Sequence, residues 1–336
     1  MKLAACVLLV SLSAFAQDDH LGINLQGLKG SPQDRVEIAK QLGANWYRPA
    51  PVFLQGDARC EDCEAARSAG LKIILVVRNT SEGKSTAAMP DVDGVKNKLR
   101  TLLEREKPAM LVVEDEPEAL KNFSGTPDDY RAELVAACEV SHALNIPCAN
   151  GGLSSEDTGN LVIDQRFASD QIDGVKFGIT TELTRIHTSS RFNILGKGLG
   201  SNNDEETQLI KGTQEYLAKH KDEIDRTRKF LSAINEARPD RLNFHWHEVQ
   251  PDNVPKILDT LHELSQLDLM CDEMGQTEQR AFDVGEKLKH ALDNYVWPTI
   301  WLGTDGKDGI IGLVDKDGKL RPSATSFQSA AKRPVM

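Results

Sequence analysis

Ala109-Met110-Leu111-Val112-Val113-Glu114-Asp115-Glu116-Pro117 is the stretch that decides how this chain is read. An apolar run of this length, closed by a turn residue, reads as a strand buried on both faces. The acids that end it fall where α/β barrels carry chemistry, at the carboxyl end of a strand. A second stretch repeats the pattern: Leu267-Asp268-Leu269-Met270-Cys271 runs into Asp272-Glu273 and then Met274-Gly275-Gln276. Two such acids, Glu116 and Glu273, are the minimum apparatus for cleaving a glycosidic bond, one as acid and one as nucleophile.

Outward from these two runs, strands alternate with amphipathic helices. Leu21 to Leu25 reads as a first strand, Asn45 to Pro49 as a second, Leu71 to Val77 as a third, and Ile146 to Asn150 as a fifth. Arg241 to Trp246, Leu269 to Cys271 and Val296 to Trp301 supply the sixth to eighth. Helices are expected over 34–42, 65–70, 95–106, 128–144, 204–237, 254–267 and 277–295, each from apolar residues at helical spacing. The count is that of a single (β/α)8 TIM barrel, an α/β fold. No G-x-G-x-x-G follows the first strand, which argues against a doubly wound open sheet. Leu153 to Asn203 interrupts the rhythm as a long insertion after strand five. Ile310 to Leu320 reads as a C-terminal hairpin turning at Asp315-Lys316-Asp317-Gly318, with a last helix from Ser323.

Of the 336 residues, 51 are acidic and 40 basic, a formal net charge of −11 that argues against a nucleic-acid partner. Lys2, the apolar stretch from Leu3 to Phe15 and an A-x-A site at Ala14-Phe15-Ala16 read as a secretory signal over 1–16, with one domain over 17–336. That stretch is shorter than the ~20 residues a membrane span needs. A secreted or periplasmic monomer is expected, with no membrane span. Beyond the leader, Cys60, Cys63, Cys138, Cys148 and Cys271 leave an odd thiol. The C-x-x-C at Cys60 and Cys63 admits a local disulfide, half a metal site or a redox pair; no second C-x-x-C or His cluster completes a zinc site. The rule for exported proteins favours a structural disulfide.

In order along the chain, several short motifs resemble the retaining (β/α)8-barrel glycoside hydrolases. Asp115-Glu116-Pro117 looks like their fourth-strand N-E-P, and Asp272-Glu273-Met274-Gly275 like their seventh-strand E-x-G. Gly43-Ala44-Asn45-Trp46-Tyr47-Arg48 is similar to the second-strand segment that ends in an active-site Arg. Phe244-His245-Trp246-His247 resembles the sixth-strand H-x-Y, and the tail from Gly309 to Ser323 the usual end of these domains. The resemblance implies Glu116 as acid/base, Glu273 as nucleophile, and a poly- or oligosaccharide as substrate. Two positions depart from the pattern, Asp115 for Asn and His247 for Tyr. They motivate a second reading, a barrel that binds carbohydrate without cleaving it.

The chemistry also follows from the residues. The ends of strands four and seven face each other across a barrel mouth, at the ~5–5.5 Å that retention requires. An inward Arg48 keeps Glu273 ionised, and the acidic neighbours Glu114 and Asp115 favour a protonated Glu116. Strand alternation puts Glu114 and Glu116 on one face and Asp115 on the other, unless the turn at Pro117 intervenes. The substrate-binding set is Arg48, Asp115, Asn150, His245, Trp246, His247 and Trp301, with Trp301 as the sugar platform. His245 and His247 share a strand face, which also fits a metal, but the remaining histidines lie in helices, in the insertion or at the N-terminus. No cofactor or metal is expected. The insertion, with Asn160, Asp164, Gln165, Arg166 and Asn202, is expected to wall the cleft.

Overall fold

The computed structural model describes residues 20–87, 91–181, 183, 203–248, 250–278, 280–306 and 309–333; the leader expected over 1–16 lies outside them. Nine strands form one parallel sheet: β1 (Leu21–Asn24), β2 (Trp46–Arg48), β3 (Val52–Phe53), β4 (Lys72–Arg78), β5 (Met110–Val113), β6 (Cys148–Asn150), β7 (Arg241–Trp246), β8 (Asp268–Met274) and β9 (Thr299–Leu302). β1 pairs with both β2 and β9, and β2 pairs directly with β4, so the ring closes on eight strands. β3 is a two-residue strip that pairs with the end of β4 beyond β2. The fold is a TIM barrel.

Side-chain alternation builds two cores from the same strands. Ile74, Val76, Met110, Val112, Ala149, Met270 and Ile300 fill the bore together with Trp46. Gly22 faces the same bore, where a Cβ would stand 2.3 Å from Ile300 Cδ1. The alternate residues, Ile73, Leu75, Val77, Leu111 and Val113 among them, pack outward against the helices.

The helices are α1 (Pro32–Gln41), α2 (Cys63–Ser68), α3 (Val92–Glu106), α4 (Pro127–Ala143), α5 (Ser155–Ser169), α6 (Gln171–Thr180), α7 (Asn203–Lys219), α8 (Lys221–Ala237), α9 (Val254–Leu264), α10 (Ala281–Asp293) and α11 (Pro322–Ala330). α1 and α4 start with capping boxes, Ser31 with Asp34 and Thr126 with Asp129, each followed by Pro at the first turn. The helix expected over 204–237 is two, parted at His220. The C-terminal hairpin reduces to one antiparallel bridge, Val314 with Leu320, around a turn at Gly318.

The insertion differs most from expectation. Much of it is helical, as α5 and α6, and α5 packs against β7, α8 and α9. Thr158 to Ile163 are consecutively buried, so α5 shows no amphipathic stripe in sequence.

Disulfides join Cys60 to Cys63 and Cys138 to Cys148, with Cα atoms 5.5 and 5.4 Å apart, and leave Cys271 as a buried thiol. Among the described residues no helix is long and apolar enough to cross a membrane.

Candidate active site

The carboxyl ends of β2, β5, β7 and β8 bring four carboxylates, one guanidinium and two imidazoles to the barrel mouth. Regular alternation stops at Val113. Continued, it would turn Glu114 into the bore, but Glu114 has φ 67 and Glu116 φ 46, left-handed conformations that non-glycine residues rarely hold. Glu114 therefore turns outward and is fully buried. It accepts from Asn79 N at 2.6 Å and Thr86 Oγ1 at 2.7 Å, and Glu133 of α4 shares a hydrogen bond with it. Asp115 and Glu116 are both left at the mouth. This corrects the alternation argument, which placed Glu114 and Glu116 together. Tyr130 of α4 holds the strand end, donating to Val113 O at 3.0 Å and accepting from Gly151 N at 3.0 Å.

On β8 a bulge does similar work. His245 of β7 pairs with Glu273, whereas Asn243 pairs with Met270, so β8 carries one extra residue between the two pairs. Asp272 and Glu273 consequently both reach Arg48: Nε lies 2.8 Å from Asp272 Oδ2 and Nη2 lies 2.9 Å from Glu273 Oε1. Nη2 also stands 3.4 Å from Asp115 Oδ1. Burial works against the charge of Arg48, but Asp272, Glu273 and Asp115 outweigh it and hold the guanidinium firmly protonated.

His245 is the hub. Its Nε2 lies 3.0 Å from Asp272 Oδ1, and its Nδ1 lies 3.2 Å from Glu116 Oε1 and 3.8 Å from Glu273 Oε2. With one nitrogen this close to both, the Glu116 and Glu273 oxygens are no more than about 7 Å apart. Burial opposes protonation of His245, yet Glu273, Asp272 and Glu116 raise it well above the usual imidazole range. Asp272 is itself fully buried and, despite that burial, is kept ionised by Arg48, His245 and Asn243, whose Nδ2 donates at 2.6 Å. Gly152 makes room for the ring: its φ is +78, and a Cβ there would stand 2.2 Å from His245 Nε2.

The protonation pattern inverts the sequence expectation. Burial would raise Glu116, but the hydrogen bond and charge of His245, with Lys121 and His247 beyond, bring it down to about 2. Asn122 Nδ2 donates to its other oxygen at 3.3 Å. Asp115 is pushed up to about 6, first by burial and then by the charge of Glu273, against Arg48 and His245. Of the two neighbours, Asp115 is therefore the carboxyl that keeps its proton to the higher pH.

Other expected contacts are redistributed. His247 does reach the site, with Nε2 3.8 Å from Glu273 Oε2. Trp246 and Trp301 are fully buried in the core between barrel and helices and cannot stack on a sugar. Asn150 is also buried, accepting from Asn243 N at 2.6 Å and donating to Asn243 O at 3.0 Å, so it ties β6 to β7. Arg48 and His245 touch the carboxylates from below as positioning groups. In the insertion, Asn160 accepts from Tyr216, Asp164 and Gln165 from Arg228, and Arg166 donates to Asp173 and Lys256 O. These residues join helices and do not wall the cleft; Asn202 lies outside the described residues. Asp272 and Asn243 were missed in sequence, though an acid beside Glu273 at the end of an apolar run was a signal that a buried partner must exist.

Atoms of Asp115, His245 and Glu273 lie within 4.8 Å of one another, a spacing a cation could use. Arg48 already stands on both carboxylates and His245 carries a proton, so positive charge is built into the site from the chain itself.

No protein-family model and no curated protein sequence matches this chain. Solved structures do. A GH128 subgroup II endo-beta-1,3-glucanase from Sorangium cellulosum superposes with a TM-score of 0.52 at 13% identity, over 93% of this chain and 98% of that one. A subgroup I enzyme from Amycolatopsis mediterranei, a point mutant in complex with laminarihexaose, gives 0.50 at 11% identity over 93% and 99%. A subgroup II enzyme from Pseudomonas viridiflava gives 0.50 at 14% over 92% and 97%. The chain shares the barrel of these glucanases. At such identities the likeness is one of fold, and the chemistry rests on the mouth itself.

Proposed function

We propose that this chain is an exported retaining glycoside hydrolase, with Glu273 as nucleophile, Glu116 as its acid/base partner and a β-1,3-glucan as the first substrate class to test. The observation that carries the reading is the pair of strand-end carboxylates held at one imidazole, no more than about 7 Å apart. Retention needs carboxyls ~5–5.5 Å apart, and the bound leaves only the lowest edge of the ~6.5–9.5 Å that inversion uses to admit a water. Arg48 against Glu273 supplies the positive surroundings that a nucleophilic carboxylate needs. The substrate class is supported by the fold shared with endo-beta-1,3-glucanases, one of them in complex with laminarihexaose. The leader pattern and the two disulfides support export.

The test is hydrolysis of laminarihexaose and a panel of other glucans by the wild type and by Glu273→Gln, with the product anomer read by NMR. Turnover with retention, lowered at least ~10³-fold in the variant, is expected. Equal turnover by both proteins removes Glu273 from the mechanism. Saccharide binding by calorimetry with no product over long incubation favours a carbohydrate-binding barrel in place of an enzyme.

A further inference from the structure

We propose that the acid and base halves of the reaction are divided between neighbouring carboxyls: Asp115 protonates the departing oxygen, and Glu116 deprotonates the incoming water. The inference rests on the retaining reading above, with Glu273 as nucleophile, and departs from it in giving the acid step to a second residue.

Geometry separates the two groups. Glu116 is engaged on both oxygens, by His245 at 3.2 Å on one and by Asn122 at 3.3 Å and Lys121 at 3.7 Å on the other. Among the described residues Asp115 is hydrogen-bonded by Arg48 alone, at 3.4 Å, and its carboxyl lies within 4.8 Å of that of Glu273. Two carboxylates that close cannot both be ionised cheaply, so one keeps a proton. Burial first, then the charge of Glu273 on β8 and of Glu116 beside it, raise Asp115 against Arg48 on β2 and His245 on β7, and it keeps its proton up to about pH 6. Glu116, brought down to about 2 by the hydrogen bond and charge of His245, is ionised through the same range.

The steps balance. As Glu273 bonds to the anomeric carbon, the bond from that carbon to the leaving oxygen breaks and the Asp115 proton passes to that oxygen. Water then attacks the same carbon, Glu116 takes its proton, and the bond to Glu273 breaks. Glu116 releases its proton to solvent and Asp115 takes one up, both side chains being open to water. The net change is one glycosidic bond and one water consumed.

The experiment compares laminarihexaose, whose leaving group needs an acid, with a 2,4-dinitrophenyl β-glucoside of the same sugar series, which does not. Asp115→Asn should lower kcat/KM on laminarihexaose by at least ~100-fold and leave the dinitrophenyl substrate within a few-fold of wild type. Glu116→Gln should keep kcat/KM on the dinitrophenyl substrate but accumulate glycosyl-enzyme, seen as a burst that azide relieves. The reverse pattern, with laminarihexaose lost on Glu116→Gln and kept on Asp115→Asn, overturns the division and leaves Glu116 as the sole acid/base. Loss of neither activity in Glu273→Gln overturns the retaining reading, and this inference with it. Should Asp115→Asn fail to fold, the wild-type pH profile decides. A fall in kcat/KM above about pH 6 on laminarihexaose alone supports Asp115 as acid; the same fall on both substrates counts against it.

Discussion

His245 Nε2 stands 3.0 Å from Asp272 Oδ1, and neither side chain touches solvent. This contact fixes the imidazole that reaches both Glu116 and Glu273 with its other nitrogen. Asp272 also carries Arg48 at 2.8 Å, so one buried carboxylate orients both positive groups of the mouth.

Asp272→Asn therefore removes a charge from two buried cations at once. Breaking a buried pair costs about 3–5 kcal/mol, and a displaced His245 should cost about 10²-fold in kcat. Thermal unfolding and steady-state kinetics check both. A variant with wild-type melting and kcat would show that His245 is held by something else.

Much of this was legible in the chain and some was not. The eight strands are apolar runs bounded by Gly, Pro or Asn, and period and punctuation suffice to find them. Strand-end placement likewise marked Glu116, Glu273, Arg48 and His245. The positive φ of Glu114 and the bulge ahead of Glu273 are set by what the strands meet across the barrel, and no local pattern carries them. Hence the placement of Asp115 beside Glu116 at the mouth, with Glu114 turned away, was out of reach. Trp301 misled for a related reason: a tryptophan at a strand end looks the same whether it faces the cleft or the helices.

Gly152→Ala should disturb the site from the rim of β6. The backbone there has φ +78, which costs an L-residue about 1–2 kcal/mol. The added methyl would also meet His245 Nε2 at 2.2 Å, where the Asp272 bond is made. The ring must move, so kcat should fall about 10²-fold with a modest drop in melting temperature. Kinetics unchanged beside an intact transition would mean that the His245 position is not critical.

Trp301→Phe separates packing from binding. Trp301 is fully buried, with Lys287 Nζ 6.0 Å from its ring centre. A smaller ring leaves a void, and core truncations of this size cost about 1–3 kcal/mol. Melting temperature should fall while KM on any accepted glucan stays within two-fold or so. A raised KM with unchanged melting would return Trp301 to the cleft as a sugar platform.

Glu118 makes stability depend on pH. Burial first, then the charge of Asp157, raises its carboxyl to about 8 from an ordinary 4.5. The folded state thus holds a proton that the unfolded chain gives up, so this contribution is full below about pH 4.5 and is lost as pH rises through about 8. Asp115 and Asp157, each raised to about 6, act in the same direction. Lys287, lowered by burial to about 7, acts oppositely once pH exceeds that value. The melting temperature should therefore fall between pH 5 and 7, by several degrees given about 1.4 kcal/mol per unit of displacement. Glu118→Gln can still accept from Ser154 N, now 2.5 Å from the Glu118 carboxylate, but cannot ionise, so its melting temperature should fall less steeply over the same range. Parallel pH profiles for wild type and variant would show that Glu118 titrates normally and that any decline comes from other raised groups such as Asp115 and Asp157.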